Sequence, residues 1–210
     1  MACAIVHAMP DWTDLTVSDE SFDDRDLEDA VLTGCTFVRC TFRHVELLEA
    51  RTVRCRFDDC DFGDATLNAS VHESSAFTNC AFGGASLFGA RFVGCKLTGA
   101  TFAKANLGGL TLVECDLSHA DLRKQKCRGL VLRGIRLTGA DLSSADLRDA
   151  DLRDADLAGA TLDQTTLAGA DLRGARLDGV DLRALDLRKV RIDLGQAVLF
   201  ARQYGAVVEE

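Results

Sequence analysis

In the stretch ADLSSADLRDADLRDADLAGA, Ala140 to Ala160, a leucine stands at every fifth residue. An α-helix repeats at 3.6 and a strand at 2, so neither keeps such leucines on one buried side for long. Counting by fives from Phe22 to Ile192 gives 35 positions, and 32 of them hold Leu, Phe or Ile. The exceptions are Thr52, His72 and Cys127, and the register never slips. A repeat this regular decides the architecture before any local propensity does.

The other four slots are as ordered. Two residues before each large apolar position stands a small one: Ala at fifteen positions and Cys at seven, namely Cys35, Cys40, Cys55, Cys60, Cys80, Cys95 and Cys115. Seven of the nine cysteines therefore occupy an alanine slot, as a buried reduced thiol acting as a small hydrophobe would. The repeat explains their Cys-x4-Cys spacings without a metal. Glycine favours the second slot after the large residue, with thirteen of 18 glycines there, which marks a sharp corner where a Cβ is costly. The remaining slots are polar.

The pattern [Ala/Cys]-[Asp/x]-[Leu/Phe]-x-x resembles the pentapeptide-repeat family over about residues 17–193. That resemblance implies an all-β solenoid, a right-handed quadrilateral parallel β-helix. Each pentapeptide forms one side of a square, and four close a turn of 20 residues. Thirty-five repeats imply about nine coils, a rod of roughly 42 Å at about 4.8 Å per coil. Positions 20 apart then stack. Phe22, Phe42, Phe62, Phe82 and Phe102 form one column, continued by Leu122, Leu142, Leu162 and Leu182, and Phe37, Phe57 and Phe77 a second. Two places depart from the pattern. Around Ser70, His72 and Ser75, inward slots turn polar above Thr52, and a polar patch or a distortion is expected in preference to a ligand pocket. Around Gln125, Lys126 and Cys127 a local bulge or a change in coil shape is expected.

Three segments follow: 1–16 as an N-terminal cap, 17–193 as the β-helix, and 194–210 as a capping and dimerisation helix. Asp193 fits an N-cap and Gly205 a stop signal. Leu194, Ala197, Val198 and Ala201 fall at i, i+3, i+4 and i+7, widened by Leu199, Phe200 and Tyr204. Such a helix covers the open end of a solenoid, or pairs with a second copy.

Charge bounds the function. The net charge is -9, and residues 1–30 hold nine acids against one base, Arg25. The sign disfavours direct nucleic-acid binding. No apolar run approaches the roughly 20 residues of a membrane span, and MACAIVHAMPDW lacks the basic start of a signal peptide, so a cytoplasmic protein is expected. Four histidines, His7, His44, His72 and His119, stand in no metal or triad spacing, so no cofactor and no enzyme activity are expected.

The tail, the opening DESFDDRDLED and the stretch SSAFTNC are similar to the MfpA and Qnr groups of the family. That resemblance implies a non-catalytic, DNA-mimicking protein that binds DNA gyrase and modulates or protects it against fluoroquinolones. It also implies a homodimer joined through Leu194, Ala197, Val198, Phe200, Ala201 and Tyr204. The unbroken register follows the loopless MfpA pattern. Average charge does not match DNA, since B-DNA would carry about 25 charges over roughly 42 Å. Mimicry must then rest on clusters, and the acids expected to face gyrase are Asp23, Asp24, Asp26, Asp58, Asp59, Asp61, Asp141, Asp146, Asp151 and Asp156. The alternative is a repeat scaffold for another protein partner.

Overall fold

The computed structural model describes residues 11–183 and 185–209. The chain divides into two compact units, residues 1–116 and 117–210. In the first, strands β1 (Asp11–Thr13), β3 (Val31–Thr33), β5 (Arg51–Val53), β7 (Val71–Glu73), β9 (Arg91–Val93) and β10 (Thr111–Val113) stack as one parallel sheet. Strands β2 (Thr16–Ser18), β4 (Thr36–Val38), β6 (Arg56–Asp58) and β8 (Ala76–Thr78) form a second. Every pairing has a register of 20 residues, as Trp12↔Leu32 and Phe37↔Phe57 show. The other two sides are ladders of single bridges, Ser21↔Thr41↔Asp61 and Asp26↔Glu46↔Thr66. This is the expected quadrilateral β-helix. In the second unit all sides are single bridges, such as Asp121↔Asp141↔Thr161 and Val131↔Asp151↔Asp171↔Arg191. The continuous strand ladder thus has six rungs, about five turns, rather than the nine coils expected of one rod. Coiling begins at Asp11, inside the segment assigned to an N-terminal cap; the rest of that cap, residues 1–10, lies outside the described residues.

The five-residue period is a geometric necessity of this coil. Among the described residues the corner residue of each pentapeptide takes a positive φ, from Asp14 (50°) onward, and all thirteen repeat-slot glycines are among them. A single left-handed residue redirects the backbone, and Asp, Asn and Gly tolerate it best. Eight aspartates hold this position, including Asp14, Asp19, Asp24 and Asp29. The peptide groups between corners bond to the next coil, as with Phe22 N–H to Thr41 C=O at 2.8 Å and Thr41 N–H to Glu20 C=O at 3.0 Å.

Corners come in two kinds, and the small slot distinguishes them. On the single-bridge sides the N–H of the small residue closes a turn onto the large residue's carbonyl, as from Ala30 to Leu27 at 3.1 Å. On the three-residue strand sides the small slot is where the cysteines are. There the thiol donates to the large residue's carbonyl in the coil before: Cys55 Sγ to Leu32 O at 3.2 Å, Cys80 Sγ to Phe57 O at 3.3 Å, Cys95 Sγ to His72 O at 3.3 Å. All seven repeat-slot cysteines follow a three-residue strand, and none follows a single-bridge side. A weak donor serves carbonyls that the tight turn serves elsewhere. The described cysteines are free and buried, and burial pushes the thiols of Cys95 and Cys127 up to about 11 and about 12.

The bore of the first unit is aromatic. Phe22, Phe42, Phe62 and Phe82 stack at centroid spacings of 4.8, 4.9 and 5.1 Å, with ring planes within 10°. Phe102 continues the column at 5.3 Å. Phe37, Phe57 and Phe77 form the second column and meet the first edge-on, as Phe37 does Phe42 at 5.3 Å. Such offset and edge contacts add to area burial. Leu142 lines the bore of the second unit, fully buried.

Neither irregular stretch distorts the coil. Val71–Glu73 is an ordinary strand. His72 is 1 % exposed, with Nδ1 2.8 Å from Thr52 Oγ1 and Nε2 2.9 Å from Ser70 Oγ. Ser70 donates its own proton to Leu67 O at 2.7 Å, so Nε2 carries the imidazole hydrogen and Nδ1 accepts from Thr52. The cavity beside Thr52 and His72 holds about 10 Å³, too little for a ligand. At Gln125–Cys127 no bulge is present: Gln125 N–H reaches Leu122 O at 3.2 Å and Leu130 N–H reaches Cys127 O at 3.1 Å, as on the other single-bridge sides, and the sides here are all of that kind. The coil takes in the larger side chains, and Gln125 and Cys127 are both buried.

Helix α1 (Leu194–Gln203) closes the second unit. Asp193 caps it in a reciprocal box with Gln196, and Gly205 follows at φ 85°. The face toward the coil differs from the apolar face read in the sequence. Gln196 and Phe200 are buried, while Leu194 is 81 % and Tyr204 68 % exposed. The last coil presents peptide groups that no further coil bonds. Gln196 Nε2 donates to Leu172 O (2.6 Å) and Ala175 O (2.9 Å), Gln203 bonds Leu182 N and Val180 O, and Tyr204 Oη donates to Arg183 O. Polar amides therefore face inward where periodicity alone placed aliphatic groups.

Candidate protein-interaction surface

The outward side chains follow from the same slots. On single-bridge sides the residue before the large one is often Asp or Asn, and its Oδ1 accepts the N–H two residues on: Asp26 from Glu28, Asp61 from Gly63, Asp121 from Arg123, Asp156 from Ala158. This short loop occupies a backbone donor that the ladder leaves over.

In the second unit that second residue is repeatedly arginine, and its guanidinium folds back onto the same carboxylate. Asp146–Arg148, Asp151–Arg153, Asp171–Arg173, Asp181–Arg183 and Asp186–Arg188 are two-pronged pairs, with Nη2 2.5–2.8 Å from Oδ2. Arg128 and Arg133 bond Asp149 and Asp154 from the neighbouring coil. The arginine hydrogen bonds hold Asp146 and Asp151 below the ordinary carboxylate range, and bring Asp171 and Asp181 to about 2. Residues 117–210 hold 15 acids and 15 bases, whereas residues 1–116 hold 18 acids and 9 bases. The whole net charge of -9 therefore belongs to the first unit.

The ten expected acids divide accordingly. In the first unit, Asp24 and Asp26 are exposed and form no ion pair among the described residues, and Asp23 accepts the Arg43 N–H at 2.7 Å. Asp58 is paired with Arg56, Asp59 accepts from Asn79 Nδ2 at 3.1 Å, and Asp61 lies 3.7 Å from Arg43. In the second unit Asp146 and Asp151 are neutralised, Asp141 lies 3.6 Å from Arg123, and Asp156 lies 3.4 Å from Arg176. The acidic clusters are visible in the sequence, but their pairing with arginine within one pentapeptide is not among the expectations drawn from it; the recurring D-L-R triplet is the signal for it.

The family models for pentapeptide repeats match residues 26–64 and 155–192, and the pentapeptide repeat region matches residues 85–162. The chain belongs to the pentapeptide-repeat family. Among solved structures, this pentapeptide-repeat chain is similar to a trypsin-treated variant of QnrB1, a plasmid-mediated fluoroquinolone resistance protein. The two are 24% identical over 95% of this chain and 100% of that one, with a TM-score of 0.84. Full-length QnrB1 matches at 21% identity and a TM-score of 0.63, over 91% of this chain and 100% of that one. These likenesses show a shared fold. No curated protein sequence matches this one. The matched family describes a structural repeat, with no catalytic domain indicated. Among the described residues no cluster of three or more His, Cys, Asp or Glu could hold a metal ion, and no helix is long and apolar enough to cross a membrane.

Proposed function

We propose that this pentapeptide-repeat protein is a non-catalytic binding module that docks on the DNA-binding surface of DNA gyrase in place of DNA, and so modulates the enzyme or protects it from fluoroquinolones. The observation carrying this reading is the charge division: a unit with a net charge of -9, whose Asp24 and Asp26 are exposed and form no ion pair among the described residues. An acidic coil is complementary to a basic saddle, and only closely spaced charges attract it through physiological salt. Asp23, Asp24, Asp26, Asp58, Asp59 and Asp61 then carry the contact, and Asp141, Asp146, Asp151 and Asp156 contribute less. The outward face of α1, with Leu194, Ala197, Val198, Ala201 and Tyr204, joins two copies; Phe200 serves its own coil. The protein acts in the cytoplasm, where gyrase is.

The test is gyrase supercoiling and drug-stabilised cleavage across a titration of the protein. Asp24→Lys with Asp59→Lys abolishes the effect, while Asp146→Lys with Asp151→Lys weakens it less. Lysine is at home at this corner, since Lys104 and Lys124 take a φ of 61° there. If the wild type neither inhibits nor protects gyrases of several bacteria, the gyrase reading is wrong. The neutral, arginine-laced second unit favours the other reading, a repeat scaffold for a different protein.

A further inference from the structure

Ten of the eleven phenylalanines are buried, and the eleventh, Phe88, is 58 % exposed. It stands just after a large apolar residue, on the side of the first unit that the bridges Asp26↔Glu46↔Thr66↔Ser86↔Asn106 define. One coil after another, that slot holds Glu28, Leu48, Asn68, Phe88 and Gly108. A Cβ on Gly108 would lie 3.1 Å from Phe88 Cδ2, so the ring leans along the coil axis over bare backbone. Glycine at 108 is what leaves room for it.

The character of this side changes along the unit. On two coils it carries Asp26, Glu28, Asp29, Glu46 and Glu49, all exposed. On the next three, residues 66–69, 86–89 and 106–109, no residue is charged. Among the described residues no other side of that unit stays uncharged for even two successive coils. The polar groups around the ring are already engaged: Ser86 Oγ donates to Asn68 Oδ1 at 2.6 Å, and Gly108 N–H to Asn106 Oδ1 at 3.1 Å. Covering them leaves no new donor stranded, and the small residues Ala69, Gly89 and Gly109 let a facing surface come close. An aromatic side chain at the centre of an uncharged patch is how a protein interface concentrates its binding energy.

We propose that Phe88 is the apolar anchor of this chain's contact with a protein partner, and that the partner presents an apolar recess bordered by basic groups. The recess takes the ring, and the basic groups meet Glu46, Glu49 and the acids of the coil before them. Nucleic acid and anionic lipid share the sign of those acids and are repelled. A second copy of the chain would bring the same acids to the contact. Burying a ring needs no opposite charge, whereas ion contacts weaken as salt screens them, so the two contributions are separable. Taking gyrase as that partner rests on the function proposed above.

The test is the affinity of the full-length chain for purified DNA gyrase, titrated at about 0.1 M and about 0.3 M salt. Phe88→Asn copies Asn68, the same slot one coil back. It is expected to weaken binding about tenfold or more, by a similar factor at both salts. Phe88→Leu, which keeps apolar bulk, restores most of the affinity. Glu46→Gln with Glu49→Gln weakens binding chiefly at the lower salt. Should Phe88→Asn fail to fold, Phe88→Gly, which copies Gly108, takes its place. If the ring variant binds like wild type, or its loss fades with salt as the glutamate variant's does, the anchor is overturned and the gyrase reading stands. A fall in the sedimenting mass of the free variant assigns the ring to self-association and also overturns the anchor. Wild-type protein that binds no gyrase overturns both.

Discussion

His72 makes the first unit acid-sensitive in a way that can be calculated. Its imidazole is buried and neutral, and burial lowers its pKa from 6.5 to about 3. In the unfolded chain the same ring takes a proton near 6.5. Between those values the unfolded state binds one proton more, so stability is intact above pH 6.5 and falls as pH drops toward 3. At about 1.36 kcal/mol per pH unit once the unfolded ring is fully protonated, going from pH 6.5, where it is half protonated, to 4.5 removes about 2.3 kcal/mol. With a urea slope of roughly 1–3 kcal/mol/M, the midpoint moves down by about 1–2 M. Trp12, the single tryptophan, packs against Phe22 at 5.6 Å and Phe37 at 5.9 Å in the same unit, so its fluorescence reads the relevant transition. The comparison is His72→Gln, whose amide has a donor and an acceptor for Ser70 and Thr52 but does not titrate in this window. Wild type should lose its midpoint over this range while the variant stays nearly flat, whatever its stability at pH 7. Parallel decline of the two proteins would refute the assignment, and acid sensitivity would then lie elsewhere. The low-lying carboxylates do not confuse the result: those of Asp171 and Asp181, at about 2, withdraw stability only as pH falls below about 4.

Three further outcomes are expected. Gly84→Ala and Gly129→Ala both place a side chain at positive φ (72° and 68°), costing about 1 kcal/mol each. The Gly84 Cβ would also lie 2.1 Å from Asp64 Oδ1, whereas Gly129 has nothing within 4 Å. Urea unfolding should therefore show about 1 kcal/mol more loss for Gly84→Ala, and Asp64→Ala should recover that excess. The eight described thiols, Cys35 to Cys127, should resist a disulfide exchange reagent in the native protein and react only on unfolding; rapid native reaction of more than one thiol per chain contradicts their burial. Gln196→Leu keeps the side-chain bulk but strands the Leu172 and Ala175 carbonyls, and should cost about 1–3 kcal/mol, read as faster amide exchange in the last coil.

Most of the fold was legible because it is written five residues at a time. The large slot predicted the bore, and stacking at 20 predicted the phenylalanine columns that the ring distances show. The glycine slot predicted the corner, and all thirteen glycines there have positive φ. What stayed hidden depends on bonds rather than on size. Cysteine and alanine looked interchangeable as small residues, yet a thiol donates to a carbonyl and a methyl group does not, so the two sort onto different sides of the square. Gln125 looked like a break, but the bore holds it. On α1, periodicity singles out Leu194, Ala197, Val198 and Ala201 and passes over Gln196 and Gln203, because it assumes an apolar surface beneath the helix. Here the surface beneath is the raw edge of a coil. On the interaction surface, the acidic clusters were visible in the sequence, while their neutralisation by Arg148 and Arg153 needed geometry.

The invariant 20-residue register also governs how such a chain can lengthen. Within a unit, gaining or losing one whole coil leaves every downstream side chain on its original face, because each strand pairs only with the residues one period away. Gaining one pentapeptide instead turns everything after it by a quarter. A cysteine corner would then come to lie over an alanine corner, and a carboxylate column over a neighbouring face. Evolution by duplication is therefore quantised: steps of four repeats conserve the surface, and single repeats repaint it.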